Sequence, residues 1–359
     1  GHISIEGLNR LGIRLPREII ENEIKGAVFH SPLGSEFLVK YTSPVTFVVN
    51  RRLFDRYIAD LATRAGAQYL LKSRAESLLI DSGFVRGVTV RGRETKETLA
   101  ARVVIDAEGC SSALLRRAQL PTLDRSMVVN AVQAQVSHVD EVDTEAVELY
   151  FGREYAPGFF AWIIPKRDGS AKIGLATNRG NPRKYLDRFM REHPVASKKL
   201  REGKITRLSF HPIPLGSPIP KTYANGLLIA GDAASQVKPT TGGGVILGLL
   251  CSKMAGEIAH QATRNREFSE AFLSTYQSKW MEAIGFDMMV MCRIRKLLNC
   301  LPDDRIDRII GLCAKLKIDD ILEERGDIDL QGRSLIHMIR NPRVLIPMLL
   351  GFFWSLTSR

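Results

Sequence analysis

Asp232 and the glycines that follow it are the residues of this sequence best suited to hold a ligand. The stretch LLIAGDAASQVKPTTGGG (227–244) places an apolar run before Gly231-Asp232 and three consecutive glycines before a helix-like pattern. A strand ending in Gly-Asp puts a carboxylate at the carboxyl edge of a sheet, where open α/β folds bind ligands. Gly242–Gly244 would leave backbone N–H groups free at a helix start, where the helix dipole favours negative charge. The pattern predicts a site for a hydroxyl donor and an anion.

The same glycines have a purely structural alternative, a tight turn between strand and helix. Three glycines in a row lose conformational entropy at a helix start, which disfavours that alternative. A phosphate would satisfy the predicted site, and so would a reduced flavin that is anionic at its ring.

The elements that position these residues follow from hydrophobic periodicity. The segment Thr46–Ala67 predicts a short strand and then an amphipathic helix, whereas the opening GHISIEG predicts no strand. Alternating residues from Met127 to Thr177 predict an antiparallel sheet. Further strands are predicted at 68–71, 77–80, 85–91 (after a turn at 81–83) and, buried in a parallel sheet, 102–107; helices are predicted at 182–200, from the glycines to about 262, at 268–298 and at 305–318.

The composition is that of a folded protein with a basic surface. The chain has 359 residues, 45% hydrophobic and 25% charged, with a formal net charge of +12. That charge favours an anionic partner: an acidic protein, an anionic membrane surface or nucleic acid. Nucleic acid is disfavoured because basic residues form no long block and do not alternate with aromatic residues.

The five cysteines do not form a recognisable metal or disulfide pattern. They are odd in number and have no CxxC spacing, so we expect mostly buried thiols and no metal site. A pairing of Cys300 with Cys313, on either side of a helix-like segment, stays open.

The apolar segment VLIPMLLGFFWSL (344–356) is too short to span a bilayer, which needs about 20 residues. Arg340, Arg343 and Arg359 bracket it. Burial against the body of the protein and anchoring at a membrane interface are equally compatible with this pattern.

Four motifs together resemble those of the geranylgeranyl reductase family, within the flavoproteins that share the p-hydroxybenzoate hydroxylase fold. The similarity extends to archaeal digeranylgeranylglycerophospholipid reductases. The motifs are GDAASQVKPTTGGG (231–244), NRRLFD (50–55), VVIDAEGCSS (103–112) and PGFFAWIIP (157–165).

The resemblance implies an α/β fold of two domains. A Rossmann-like FAD-binding domain is expected at 1–120 and 222–285, an inserted antiparallel-sheet substrate domain at 121–221, and a helical C-terminal region at 286–359. The family's opening strand and G-x-G-x-x-G loop are not in this sequence, so we expect a gap in the sheet and weakened FAD binding.

The resemblance also implies the site residues. Trp162 is expected to line the substrate cavity, whereas Tyr150 is interpreted as sheet core. Glu108 stands where the family usually has Asp, which weakens the case for that contact. The implied FAD-binding residues are Arg51, Ala75, Glu108, Gly109, Gly231, Asp232, Pro239, Gly242, Gly243, Gly244 and Val245; the implied substrate-binding residues are Phe160, Trp162 and Pro165.

The implied reaction is hydride transfer from reduced flavin to an isolated prenyl C=C bond, with a proton added to the other carbon. No side chain is identified as the proton donor. The implied partners are a prenylated glycerophospholipid, an anionic membrane surface and an electron donor, either a ferredoxin-like protein or a reduced nicotinamide. The implied location is cytoplasmic and peripheral to the membrane.

Two other functions stay open. A flavin monooxygenase of the same fold would share the flavin motifs but not the PGFFAWIIP cavity signature. A non-catalytic prenyl-lipid-binding relative would be consistent with the absent G-x-G-x-x-G loop.

Overall fold

The computed structural model describes residues 1–93, 95–320 and 327–340. The strands, in chain order, are β1 His2–Ser4, β2 Ile20–Ile24, β3 Gly26–His30, β4 Glu36–Lys40, β5 Thr46–Val49, β6 Arg74–Asp81, β7 Phe84–Arg91, β8 Lys96–Ala100, β9 Val104–Asp106, β10 Val128–Ser137, β11 Ala146–Tyr150, β12 Ala161–Pro165, β13 Ala171–Thr177, β14 Lys204–Pro214, β15 Tyr223–Ala224 and β16 Leu227–Ile229. The helices are α1 Ile5–Leu11, α2 Arg51–Arg64, α3 Ala113–Arg117, α4 Pro182–Glu192, α5 Ala196–Lys199, α6 Val245–Asn265, α7 Glu270–Trp280, α8 Phe286–Cys300, α9 Asp303–Lys315 and α10 Gln331–Arg340.

The largest sheet has seven strands in the order β14-β10-β13-β12-β11-β3-β4. All of its pairs are antiparallel except β11 with β3, which confirms the sheet predicted between residues 127 and 177. Strands β3 and β4 come from within 1–120, a segment that the sequence assigned to the other domain. The domain boundaries themselves stay a prediction.

The two faces of this sheet are covered by different parts of the chain. On one face, Ala161 and Ile163 of β12 pack with Leu186 and Phe189 of α4. Because strand side chains alternate, Trp162 lies on the other face, in an apolar cluster with Phe159 and Phe160. The aromatic residues of the PGFFAWIIP motif are thereby turned away from α4.

The strand that ends before Gly231-Asp232 lies in a small parallel arrangement. Strand β16 pairs in parallel with β9, and β15 lies on its other side. The predicted parallel strand at 102–107 is therefore confirmed over a shorter range. Its burial is not complete, because the Ile105 side chain is 41% exposed.

Two predictions about strands are wrong. Residues 68–71 are irregular, with Leu71 78% exposed. A strand needs a neighbour to satisfy its backbone, and no described strand lies beside this segment. Conversely, His2–Ser4 does form a strand, antiparallel to β5, although three residues are too few to reveal alternation.

The remaining predictions for regular structure are confirmed, except that the helix predicted at 182–200 forms two helices, α4 and α5, separated by residues 193–195. Strands β6 and β7 form a hairpin whose turn has positive φ at Ser82 (49°) and Gly83 (78°). Helix α6 buries one stripe of residues, Leu247, Cys251, Met254, Ala255, Ile258 and Ala262, against α7 and α8. None of the helices in the described part of the chain combines the length and apolar character needed to cross a bilayer. The apolar segment 344–356 lies outside the described residues.

Candidate functional site

Asp232 lies just beyond the carboxyl end of β16, in a short 3-10 turn over Gly231–Ala234. Its Oδ2 atom is 4.0 Å from the Cys110 thiol, which is the sole hydrogen-bond donor to this carboxylate among the described residues. Burial raises the pKa of Asp232, and the nearby His211 and Arg51 side chains partly oppose that shift. A partly desolvated carboxylate with so weak a partner has acceptor capacity to offer a ligand.

The loop that follows, residues 236–244, is called here the glycine loop. The Gly242 N–H donates to the Lys238 carbonyl at 2.8 Å, and the Lys238 N–H donates to the Gly243 carbonyl at 3.2 Å, so the loop closes on itself. Gly242 has a φ of 71°, which favours glycine. A Cβ on Gly243 would lie 2.6 Å from Lys238 Cε. Part of the need for glycine is therefore structural, as the packing alternative proposed.

The glycine loop leads directly into the start of α6. Gly244 is the N-cap residue and has no side chain to bond the first N–H groups of the helix. A Cβ on Gly244 would lie 3.1 Å from Asp232 Oδ1, so the carboxylate and the helix start are adjacent. These residues fit a flavin, since its ribityl hydroxyls can donate to Asp232 and its ring can place negative charge at the helix N-terminus.

Arg51 occupies the first position of α2, a helix capped by the Asn50 side chain. Its Nη2 lies 3.1 Å from Asp55 Oδ1, and about half of the arginine side chain is exposed. Its charge partly opposes the rise in the pKa of Asp232 that burial causes. Ala75 lies on β6, which belongs to a different sheet from Asp232, and is exposed.

The Glu108 carboxylate binds the start of α3 rather than open space. It accepts hydrogen bonds from the N–H groups of Ala113 at 2.6 Å, Leu114 at 2.9 Å and Leu115 at 3.2 Å. The Ser111 hydroxyl donates a further bond at 2.8 Å. Burial alone would raise the pKa of Glu108, but these bonds, led by that from Leu114, hold it below its usual range. A contact from Glu108 to FAD stays a prediction, and the structure gives this residue a capping role.

Asp106 is a residue that the sequence reasoning overlooked. It ends β9, and its Oδ1 accepts the Glu108 N–H at 2.9 Å. Its Oδ2 is buried, with no hydrogen-bond partner in the described part of the chain. Burial raises the pKa of Asp106 to about 6. The available signal was its place at the carboxyl end of the predicted strand, near the sheet edge beyond which Asp232 lies.

One aromatic residue of the PGFFAWIIP motif, Phe159, contacts the glycine loop. The Phe159 and Phe160 rings stack with centroids 4.1 Å apart, and Phe160 meets Trp162 edge-on at 6.2 Å. Phe159 Cζ is 3.4 Å from the position of a Cβ on Gly242. The Trp162 Nε1 is buried, and no described group accepts its hydrogen. We call Phe159, Phe160 and Trp162 the aromatic roof.

Pro165 and Tyr150 lie away from this roof. Pro165 alternates with Trp162 along β12 and is therefore on the opposite face, where its carbonyl accepts the Asn22 amide at 3.1 Å. Tyr150 is 2% exposed and its hydroxyl donates to Glu148, which confirms its interpretation as sheet core.

A cavity of about 520 Å³ lies beside the predicted site. His211 and Pro212 line it; His211 acts electrostatically on Asp232, and the Pro212 carbonyl lies 3.5 Å from the Cys110 thiol. The other lining residues are Asn130, Ala131, Gly180, Asn181, Pro182 and Phe210.

The cysteines are free thiols. Cys110, Cys251 and Cys292 are buried, which confirms the expectation for most of them, and Cys300 is not bonded to Cys313. Over the described residues, no group of three or more His, Cys, Asp or Glu side chains could hold a metal ion.

Comparisons with known proteins agree with the fold described above. The family model described as the geranylgeranyl reductase catalytic domain matches residues 128–207. Digeranylgeranylglycerophospholipid reductase 2 of Methanothermobacter thermautotrophicus is 34% identical over 316 residues, covering 86% of this chain and 80% of the relative. Digeranylgeranylglycerophospholipid reductase of Methanocaldococcus jannaschii is 32% identical over 309 residues, covering 85% and 78%.

Solved structures extend the likeness. A geranylgeranyl bacteriochlorophyll reductase-like protein from Thermoplasma acidophilum superposes with a TM-score of 0.84 at 26% identity, covering 97% of this chain and 87% of that protein. A p-nitrophenol 4-monooxygenase from Pseudomonas putida gives a TM-score of 0.68 at 15% identity, covering 92% and 88%. The second likeness concerns the fold alone.

Proposed function

Because this chain belongs to the digeranylgeranylglycerophospholipid reductase family, we propose that it is an FAD-dependent reductase that saturates the C=C bonds of geranylgeranyl chains in archaeal-type glycerophospholipids. One arrangement of residues in the structure supports this proposal most directly. The Asp232 carboxylate lies against the uncapped start of α6, and Phe159 of the aromatic roof contacts Gly242 in the loop that leads into this helix.

The residues below the roof would hold and polarise the flavin. Asp232 would accept a ribityl hydroxyl, and the N–H groups after Gly243 would face the ring, where the helix dipole stabilises negative charge. When bound, reduced FAD would supply the hydride. The protein's own contribution at this end is to favour the charged, reduced form of its ligand.

The residues of the roof would hold the alkene. An isolated C=C bond is difficult to reduce, so its orientation and the exclusion of water matter more than acid–base catalysis. The edge-on rings of Phe160 and Trp162 offer a rigid apolar surface to a prenyl chain. The buried Trp162 Nε1 offers one hydrogen-bond donor that no described group uses.

The proposed partners follow from the positive net charge of the chain. The formal net charge of +12 suits an anionic lipid headgroup, an anionic membrane surface and an acidic electron carrier. We propose peripheral contact with the membrane and leave the electron donor as either a ferredoxin-like protein or a reduced nicotinamide.

The relatives favour reduction over the two alternatives. The monooxygenase neighbour shares the fold but only 15% of its sequence, whereas named lipid reductases share about twice as much. Oxygen-dependent hydroxylation of phenols would support the monooxygenase instead.

The test is product analysis. The full-length protein is mixed with FAD, reduced with dithionite under argon and incubated with digeranylgeranylglycerophospholipid, and the lipid is analysed by mass spectrometry. We expect a series of products, each heavier by one H₂. An unchanged lipid together with tight lipid binding would favour the non-catalytic relative and contradict the proposal.

A further inference from the structure

Arg295 is a buried cation to which the proposed function assigns no role. It projects from α8, in the C-terminal helical region, and is 2% exposed. Its Nε donates to the Pro239 carbonyl at 2.8 Å, and its Nη2 donates to the Thr240 carbonyl. Both acceptors belong to the glycine loop, immediately before Gly242–Gly244.

The same guanidinium also contacts the aromatic roof. Its Cζ lies 4.7 Å from the centroid of the Phe159 ring, a distance typical of cation–π contact. Phe159 in turn lies against Gly242. Arg295 therefore contacts both the glycine loop and the aromatic roof.

The charge of Arg295 is poorly compensated by its described neighbours. They offer two carbonyl oxygens and a ring rather than a carboxylate. Burial lowers the pKa of Arg295 to about 10, so it stays a cation at neutral pH. Burying a charge without an opposite charge is unfavourable, and an anionic ligand beside the loop would relieve that penalty.

Two neutral or self-compensated contacts hold the same loop and provide a comparison. Lys238 Nζ pairs with Asp329 Oδ1 at 3.0 Å, so its charge is neutralised. The Thr240 hydroxyl donates to the Gln331 side chain, which carries no charge. Arg295 differs from both in bringing net charge to the loop.

We infer that Arg295 is a positioning residue with two roles: its fork of donors fixes the glycine loop, and its charge favours the anionic, reduced form of the flavin over the oxidised form. The inference rests on the proposed function. A planar fork and a charge are separable by substitution, because lysine keeps the charge but cannot bond both carbonyls in the same geometry.

The charge is tested by affinity for the two redox forms. The dissociation constants of oxidised FAD and of dithionite-reduced FAD are measured anaerobically for the full-length wild type, Arg295→Gln, Arg295→Lys and the control Gln331→Ala. We expect Arg295→Gln to weaken reduced FAD about tenfold more than oxidised FAD, as for the loss of one partly screened charge. Arg295→Lys and Gln331→Ala should keep the wild-type ratio. A folded Arg295→Gln protein with an unchanged ratio would overturn the electrostatic role.

The positioning is tested by amide hydrogen exchange in the FAD-free protein. We expect the Gly242–Gly244 amides to exchange about tenfold faster in Arg295→Lys, because the loop opens more easily. Unchanged exchange there would overturn the positioning role, and this test holds even if Arg295→Gln does not fold. A wild-type protein that binds no FAD would contradict the proposed function. Normal FAD binding by the wild type, with the affinity ratio and amide exchange unchanged in the variants, would contradict only this inference.

Discussion

Asp232 and Glu108 follow two strands that pair in parallel, β16 and β9, so both carboxylates lie near the same edge of one sheet. Their surroundings differ. Glu108 accepts three backbone N–H groups and a hydroxyl from the start of α3. Asp232 meets only a thiol at 4.0 Å among the described residues, beside the uncapped start of α6. Similar chemistry at one sheet edge thus serves the fold in one case and is open to a ligand in the other.

Removing the ligand-facing carboxylate should give the largest effect. Asp232→Ala deletes a charged acceptor, so we expect FAD to bind about 100-fold more weakly, near the upper range for hydrogen bonds to charged groups. Isothermal titration calorimetry with FAD measures the change. Asp232→Asn keeps an acceptor and should lose less. Equal affinity for FAD in the wild type and Asp232→Ala would contradict the assignment of Asp232 to the ligand site.

Removing the capping carboxylate should instead affect stability. Glu108→Ala leaves three N–H groups of α3 without their acceptor, and we expect the free energy of unfolding to fall by about 2 kcal/mol. Urea unfolding of the FAD-free protein measures this, and Glu108→Gln should recover part of the loss. A normal unfolding curve with a large loss of FAD affinity would return Glu108 to the flavin site.

The large sheet allows the same comparison between Trp162 and Pro165. Trp162 lies in the roof with a buried indole N–H that no described group accepts, whereas Pro165 lies on the opposite face of β12. We expect Trp162→Phe to lower kcat for lipid reduction about tenfold through looser orientation of the alkene. Pro165→Ala should leave kcat unchanged, and a similar loss in both variants would argue against the assignment of faces.

The smallest effect concerns Asp106 and the pH. Its pKa is raised by burial to about 6, so the folded protein binds its proton more tightly than the unfolded chain does. Its contribution to stability is therefore largest below the unfolded pKa and falls as the pH rises through 6. We expect Asp106→Asn to be about 1 kcal/mol more stable than wild type at pH 7.5, with the difference shrinking towards pH 4. Chemical unfolding of the FAD-free protein at several pH values measures this difference. A stability difference that grows towards acid pH would contradict a raised pKa of Asp106.

The sequence was most informative where structure and function depend on nearby residues. The strand, glycine loop and helix around Asp232 are contiguous in the chain, so their apolar pattern and glycines predict them directly. The failed strand at 68–71 has suitable residues but no described partner strand, and pairing is not a local property. The role of Glu108 depends on how the backbone turns after Gly109, with a φ of 71°, to bring α3 back to its carboxylate. Arg295 acts on carbonyls 55 and 56 positions earlier, and nothing in its own helix indicates that contact.

The most direct test of the proposed reductase is a single turnover without oxygen. The protein is loaded with FAD, reduced completely under argon and mixed with digeranylgeranylglycerophospholipid in a stopped-flow spectrophotometer. We expect the absorbance of oxidised flavin to return on mixing, with one double bond saturated for each flavin reoxidised. Flavin that stays reduced with the lipid and reoxidises only when oxygen is admitted would contradict it.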